Sequence, residues 1–461
     1  MKGRSPQELA DIYLSGTPFV EFFRHQYTVS LPNDVRFEHT HIVGGTGHGK
    51  TQLLQHLIQG DLNRAISGEC GLCVIDSQGD LIRKLSHLQC FNPDIEGSLA
   101  DKFLLIDPMD IEHPASLNMF DMHLDRVEQL PAVQREMILN GTIELYEYMF
   151  GALLGAELTQ RQDVIFKYLA RLMMAIPGAT IQTLRELMED ARPFQSYIDN
   201  LDGTTRIFFD TQFSSSSYAA TKKQILTRLW GVLSNSTLER MFSNKKNKVD
   251  ILEAMNSGKI VLINTAKDLL KTDGCHILGR FFIAQIAQAV LERAGQSEEK
   301  RLPFFVYIDE AQEYFDDHIE VLLNQARKYN VGIHLAHQNL GQLSSRLKAA
   351  LMSNTSTKLV GGVSSKDAGE FAADMNTEAR IIQSARKRSS HTEFALWVKN
   401  LTTQAVKISV PLGLMEKQPT LSEEEYNRLI DKNRSLYSAL PDERHVPVPP
   451  KKQIADIKYL L

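Results

Sequence analysis

The sequence predicts an α/β fold built on a mostly parallel sheet, and three observations predict it. A glycine-dense loop, Gly44 to Gly49, lies between an apolar β-branched segment and a helix that opens at Lys50-Thr51. Short continuous apolar runs recur along the chain, separated by helical segments. One of them, Phe304-Phe305-Val306-Tyr307-Ile308, ends on the carboxylate pair Asp309-Glu310. Continuous rather than alternating apolar runs mark strands buried on both faces, the situation that helices between parallel strands create.

Taken in order, residues 1–36 read as a short helix and an irregular lead-in with little core of their own. Strands are then expected at Thr40–Val43, Leu72–Asp76, Phe103–Asp107, Ile260–Asn264, Phe304–Asp309, Ile333–Ala336 and Lys358–Val360. Phe394–Val398 and Ala405–Val410 follow with a more alternating pattern. Lys50–Ile66 reads as the first core helix, and Ile319, Leu322, Leu323 and Ala326 place an apolar stripe on another at helical spacing. Between Asp107 and Ile260 the rhythm breaks. Helical patterns at Val127–Leu154, Gln160–Met174, Ile181–Met188 and Ala219–Leu233 include no convincing central strand, and Ser214–Ser217 reads as a loop or cap. A largely helical domain inserted between two core strands is the simplest account. Lys267–Gly274 reads as a loop after a core strand that could equally project into a DNA channel, and Pro441–Lys452 as an extended tail. The expected organisation is a lead-in (1–36), the first part of the core (37–118), an all-α insertion (119–249), the second part (250–412) and a polar extension (413–461).

Composition narrows the function classes. At 461 residues the chain has room for several domains of the usual ~100–200 residues. A formal net charge of −5 excludes a globally basic nucleic-acid binder, so any such surface must be local. No apolar run approaches the ~20 residues of a membrane-spanning helix. The best one, Phe281–Leu291, is interrupted by Gln285 and Gln288. The start, MKGRSPQELADIYL, lacks the apolar core of a signal peptide. The expected location is the cytoplasm, with any membrane reached through a partner. Four cysteines fit a reducing compartment. Cys70-x-x-Cys73 and His87-x-x-Cys90 have the spacing of zinc ligands, but Cys73 lies inside the apolar GLCVID, where cysteine acts as a small buried hydrophobe.

The chemistry begins at HIVGGTGHGKTQLL. Gly44, four intervening residues and Gly49-Lys50-Thr51 match the phosphate-binding loop G-x-x-x-x-G-K-[ST]. Glycines let backbone N–H groups turn inward around a phosphate chain, and the helix N-terminus adds its positive end. The candidate binding set is Gly44, Gly45, Thr46, Gly47, His48, Gly49, Lys50, Thr51 and Gln52. Lys50 is expected to reach the β- and γ-phosphates of ATP, and the Thr51 hydroxyl to ligate Mg²⁺. Asp309, at the carboxyl end of an apolar strand, is expected in the Mg²⁺ shell, and Glu310 to polarise the water that attacks the γ-phosphate. Gln338, at the end of Gly332-Ile333-His334-Leu335-Ala336-His337, is placed to sense the γ-phosphate or hold that water, whereas His337 reads as structural.

The segments VGGTGHGKTQLL, GLCVIDSQGDL, LLIDPMDIEHPASLNMFD, GKIVLINTAKDLL, FFVYIDEAQEYF and ARKYNVGIHLAHQN occur in an order that resembles the HerA/FtsK superfamily of DNA-pumping ATPases. The likeness is greatest to its conjugative coupling-protein branch, which serves type IV secretion. Ile106-Asp107-Pro108, Asp110, Pro114 and Asn118, the helical insertion, and LTRLWGVLSNSTLERMF before GKIVLIN look specific to that branch. The resemblance spans roughly residues 38–412. It implies a RecA-like core, a ring that is usually a hexamer, nucleotide between subunits and DNA in a central channel. It carries over Lys50 and Thr51, Asp309 and Glu310, and Gln338 in the roles given above. Coupling proteins normally begin with membrane helices, and HerA-type pumps with a β-barrel. Residues 1–36 read as neither, so a soluble variant without direct membrane insertion is expected.

No motif fixes the arginine that a neighbouring subunit would supply; Arg327 and Arg346 are the candidates, each equally readable as a solvated helix-end charge. For DNA contact the candidates are Lys222, Lys223, Lys245, Lys246, Lys248 and the run Arg386-Lys387-Arg388. Three readings follow. The first is an ATP-dependent DNA translocase of the coupling-protein type, with relaxase or secretion-channel partners. The second is a HerA-like motor in DNA processing or phage defence with a nuclease partner. The third is a nucleotide-dependent adaptor that binds substrates through its helical domain without processive pumping.

Overall fold

The computed structural model describes residues 6–20, 28–154, 160–201, 203–315 and 319–440. Each expected strand is present, with bounds shifted by at most three residues: β1 Thr40–Gly44, β2 Gly71–Asp76, β3 Phe103–Ile106, β4 Ile260–Asn264, β5 Phe304–Ile308, β6 Val331–His337, β7 Thr357–Gly361, β8 His391–Val398 and β9 Val406–Pro411. They form one sheet in the order β3-β4-β2-β5-β6-β1-β7-β8-β9. All pairings from β3 to β7 are parallel. The β7–β8 and β8–β9 pairings are antiparallel. The fold is therefore α/β with a mostly parallel sheet.

Period-two side-chain alternation splits each strand between two apolar layers. Phe304, Val306 and Ile308 of β5 enter one cluster, while Phe305 and Tyr307 enter the other. Cys73 and Ile75 of β2 join the first and Leu72 and Val74 the second. The first layer also holds Tyr146, Phe150, Phe166 and Leu169 of the helices between β3 and β4. Insertion and sheet thus share one core, which sequence periodicity cannot show, because it says which face is apolar and not what covers it.

Those helices are Ala132–Leu154, Gln160–Ala175, Ile181–Glu189 and Ser216–Leu233, with shorter turns between them. The first starts later than expected. A 3₁₀ turn covers Leu124–Gln129, and Pro131 precedes the helix, its carbonyl accepting the first helical bond from Arg135 N at 3.0 Å. Ser214 and Ser215 lie at the junction, and Ser216 opens the next helix.

A larger departure is Lys267–Gly274. It is not a loop. The helix Lys267–Glu292 begins there and breaks at Lys271, whose φ of 60° and ψ of −178° are non-helical. Among the described residues, Lys267–Gly295 is the one helical stretch long and apolar enough to cross a membrane, and 83% of its most apolar window is buried. That burial is against protein. Phe281, Phe282, Ile283 and Ile286 lie in the core layer under the sheet.

The chain beyond Pro411 also folds back. Helix Glu423–Tyr437 opens on a Ser422–Glu425 capping box, and Leu429, Ile430 and Tyr437 are buried. Asn433 donates to Leu105 O and accepts from Leu105 N, each at 2.9 Å, which covers the free edge of β3. The expected tail Pro441–Lys452 lies outside the described residues. At the other terminus, the turn Asn33–Arg36 anchors the lead-in. Arg36 donates to both Asp61 carboxylate oxygens at 2.8 and 2.6 Å and to Tyr307 Oη at 3.0 Å, and its guanidinium stacks 3.6 Å over the Phe305 ring.

Candidate active site at the carboxyl edge of the sheet

In a parallel sheet every strand presents its carboxyl end at one edge, so β1, β5 and β6 deliver their C-terminal residues to the same place. From β1 the chain turns through Gly45–Gly49 into helix Lys50–Ile66. Gly47 and Gly49 have φ of 75° and 110°, conformations that glycine adopts without a Cβ penalty. Space demands glycine too. A Cβ on Gly45 would stand 2.5 Å from Gly362 O, and one on Gly49 2.9 Å from Thr392 Cγ2. Gly49 occupies the N-cap without a side-chain cap, so the first helical N–H groups are left to the loop's concave side.

Lys50 is buried and its Nζ donates to Gly44 O at 2.9 Å, with Glu310 Oε1 4.0 Å away. The Thr51 hydroxyl donates to Asp309 Oδ2 at 3.1 Å. Asp309 is 6% exposed. Burial first, and then the carboxylates of Asp76 and Glu310, raise its pKa to about 7 against the opposing pull of Lys50. Glu310 is held at φ 50° and ψ 49°, an uncommon conformation for a non-glycine residue and one that clusters at functional sites. Gln338 Nε2 lies 3.3 Å from each Glu310 oxygen, and Gln338 Oε1 accepts from Thr46 Oγ1 at 3.1 Å. One amide therefore bridges the glycine loop and the acidic pair.

The remaining loop residues face other elements. His48 packs edge-on against Phe394 and hydrogen-bonds Glu393 O at 2.8 Å, which ties the loop to β8. Gln52 Oε1 accepts from Gly413 N at 2.7 Å and so reaches the C-terminal segment. His337 is fully buried, 2.6 Å from His41 Nε2 through its own Nε2 and 3.1 Å from Asn339 O through Nδ1. Burial lowers its pKa to about 4, so it is neutral.

Asp76 was not singled out by the sequence reading. It ends β2, is buried, and its two oxygens accept from Gln78 N and Leu81 N at 3.0 Å, capping helix Asp80–Ser86. Its signal was the strand-end carboxylate in GLCVID, the same pattern that marked Asp309. Burial raises its pKa, and it adds negative charge beside Asp309.

The arginines part company. Arg327 follows helix Ile319–Ala326 and precedes β6, at the opposite edge of the sheet from Gln338. Spanning β6 at ~3.3 Å per residue puts it far from its own chain's glycine loop. It is exposed and pairs with Glu38 at 2.6 Å. Arg346, also exposed, lies in the first turn of helix Ser345–Asn354 on the same edge as Gln338. Ser345 and Lys348 from that helix help line a cleft of ≈ 600 Å³ with Gly45, Thr46, Gln338 and Gly362.

The DNA-contact candidates lie on different elements. Lys222 stands 4.5 Å over the Phe213 ring, and Lys248 Nζ donates to Ser438 O at 3.0 Å. Lys223, Lys245 and Lys246 are exposed on the insertion. Arg386-Lys387-Arg388 lies apart from them, beside the glycine loop, where Lys387 pairs with Thr392 across a β-bridge. The cysteines with zinc-like spacing divide between layers, Cys73 in one and Cys70 and Cys90 in the other. Among the described residues, no three His, Cys, Asp or Glu side chains converge as a metal cluster.

Two family profiles match the chain. The one described as the type IV secretion-system coupling protein DNA-binding domain matches residues 24–121, and the one described as the TraM recognition site of TraD and TraG matches residues 303–429. No curated protein matches significantly. Among solved structures, the plasmid coupling protein TrwB in complex with the ATP analogue ADPNP superposes with a TM-score of 0.57 at 15% identity, covering 87% of this chain and 93% of that one. The conjugative coupling protein TrwBdeltaN70 with sulphate gives 0.54 at 14% identity over 88% and 94%. TrwB with ADP and Mg²⁺ gives 0.51 at 16% over 86% and 84%. At these identities the structural likeness is one of fold.

Proposed function

We propose, for a chain that in domain signatures and fold is a conjugative coupling-protein-like P-loop ATPase, that it binds ATP with Mg²⁺ at the carboxyl edge of its sheet and hydrolyses it to drive or recruit DNA for transfer. The observation that carries this is the linkage of three strand ends. Thr51 meets Asp309, and Gln338 joins Thr46 to Glu310. A fold-only resemblance does not demand these contacts, and they gather the groups that a triphosphate site uses.

Each residue has a task that its geometry suits. The backbone N–H groups of the glycine loop and the Lys50 ammonium neutralise the phosphate chain. Glu310, strained and partly exposed at 19%, is placed to polarise an attacking water. Gln338 is placed to report the γ-phosphate to both Thr46 and Glu310. Thr51 and Asp309 would hold Mg²⁺, which would neutralise charge on the phosphates. Two protein oxygens suit an ion that keeps phosphate and water ligands, and the pKa of Asp309, raised by burial first and then by the neighbouring carboxylates, marks a buried acid that a cation would stabilise in its charged form.

Developing charge on the γ-phosphate still needs an arginine, and Arg327 cannot reach the site of its own chain. The proposal therefore includes a ring, in line with a hexamer, in which Arg327 faces the neighbour's nucleotide. Arg346 is the alternative. The coupling-protein profile over residues 24–121 supports DNA as cargo, and the profile over residues 303–429 supports a relaxosome protein as partner. The same second profile favours the adaptor reading as runner-up. ATP turnover with and without DNA separates them. DNA should stimulate a motor several-fold, whereas turnover indifferent to DNA would favour the adaptor.

A further inference from the structure

The run Arg386-Lys387-Arg388 stands just before β8, whereas the other basic candidates lie in the helical region between β3 and β4. The run forms a short antiparallel pairing with the start of β8. Arg388 N donates to His391 O at 2.7 Å and Glu393 N to Arg386 O at 3.0 Å. These bonds flank Lys387 and Thr392, making them a non-hydrogen-bonded pair, in which opposed side chains lie closest and on one face. The Thr392 side chain points at the glycine loop. Its hydroxyl donates to His48 O, and its methyl crowds the position a Gly49 Cβ would take. Lys387 therefore leaves the strand on the loop-facing side, while Arg386 and Arg388, its neighbours along the strand, leave on the other. Glu393, also on the other side, is held by Arg386 N at 3.0 Å and by Lys407 at 3.5 Å. Lys387 is exposed and has no ion-pair partner among the described residues.

Sheet order supplies the direction. Glu310 and Gln338 follow β5 and β6, on one flank of β1, so the γ end of a bound triphosphate points that way. The β7–β8 side is the opposite flank, where the α-phosphate and the nucleoside must lie. We propose that Lys387 is a second nucleotide-binding cation, one that contacts the α- or β-phosphate of a nucleoside di- or triphosphate from the β7–β8 side, and that it is not a DNA contact. The depressed pKa of His48, due mainly to burial and then to Lys50 and Lys387, places Lys387 within electrostatic range of the loop. The inference rests on the nucleotide-site reading above.

The test is equilibrium binding of fluorescent ADP and ATP analogues to the full chain, alongside DNA binding across a salt series. Lys387→Ala should weaken ADP and ATP alike, by about tenfold, the scale of one charge-assisted hydrogen bond. Lys387→Arg should retain most of the affinity. Arg386→Ala and Arg388→Ala, on the other face of the same pairing, should leave nucleotide binding unchanged, and Lys387→Ala should leave the salt slope of DNA binding unchanged. Unaltered nucleotide affinity in Lys387→Ala overturns the proposal, as does a loss confined to ATP, which would put the residue at the γ end. Equal losses in all three alanine variants would also overturn it, since they would reveal a general field rather than a contact. Lys50→Ala separates the two readings. If it too binds nucleotide normally, the nucleotide site itself is wrong.

Discussion

Two buried polar clusters share strands β5 and β6 and are built in opposite ways. On one face, Tyr307 of β5 and His334 of β6 meet Arg36 and Asp61. Opposite charges lock together bidentately, and Tyr307 Oη donates to Asp61 Oδ2 at 2.5 Å. One and two residues past the end of β5, and one past the end of β6, the carboxylates of Asp309 and Glu310 and the amide of Gln338 gather beside Asp76. Lys50 is the cation nearest them. The first cluster compensates its own charges and ties the lead-in to the core. The second keeps a negative surplus, a raised carboxylate pKa and a strained residue, features that a packed core would select against and that a cation-dependent site requires. A mutation should therefore cost stability in the first cluster and chemistry in the second.

The largest effect should come from neither cluster in isolation. Arg327→Ala is expected to lower ATP turnover by about 10³–10⁵-fold, the range for an arginine acting in trans, with unchanged nucleotide affinity. Mixing it with Lys50→Ala chains should restore activity, because each lacks a different half-site. Absence of rescue, with Arg346→Ala showing the larger defect, would transfer the role to Arg346. Next in size, Arg36→Ala should destabilise the protein by about 3–5 kcal/mol in urea unfolding, since it strands a buried Asp61 carboxylate. A change below ~1 kcal/mol, the scale of an exposed pair, would show that this cluster is not the tie described here.

A smaller effect separates the clusters by pH. The folded-state pKa of Asp309 is about 7 against an ordinary 3.8, so between these values the folded protein holds a proton that the unfolded chain has released. Stability from this group therefore falls as pH rises through that window and returns on acidification. The melting temperature of the nucleotide-free protein should carry this slope, and Asp309→Asn should reduce it. An identical pH profile in the variant would contradict the raised pKa that burial, and then the neighbouring carboxylates, give Asp309. Smallest of all, Ser422→Ala should cost about 1 kcal/mol through the lost cap of helix Glu423–Tyr437, without altering nucleotide binding. It calibrates what a purely structural change looks like far from either cluster.

The strands were legible because apolar β-branched runs bounded by turn residues leave little choice, and the glycine loop because its chemistry is local in sequence. Asp309, Glu310 and Gln338 were legible as strand-end polar residues, and the structure brings them together with Thr46, Lys50 and Thr51. What was not legible depends on pairing between distant segments. Lys387 reads as one cation in a basic run until its bridge to Thr392 turns it toward the loop. Lys267–Gly274 reads as a loop because Thr272, Asp273 and Gly274 are poor helix formers, yet burial of the following apolar turns draws the segment into the helix. Helix Glu423–Tyr437 was hidden by its polar composition, although Ser422-x-x-Glu425 is a readable start signal.

The central claim, that one cluster holds the fold and the other performs chemistry, is tested most directly by parallel measurements on Asp61→Asn and Asp309→Asn. Both replace a buried carboxylate by an amide of nearly equal size, and each variant is measured for unfolding free energy and for ATP turnover per folded molecule. Asp61→Asn is expected to lose stability, because Arg36 remains buried without its counter-charge, while its folded fraction binds and hydrolyses nucleotide. Asp309→Asn is expected to be as stable as the parent protein, or more so, with hydrolysis abolished. A destabilised Asp309→Asn protein that still hydrolyses ATP, or an Asp61→Asn protein of full stability, would contradict the account.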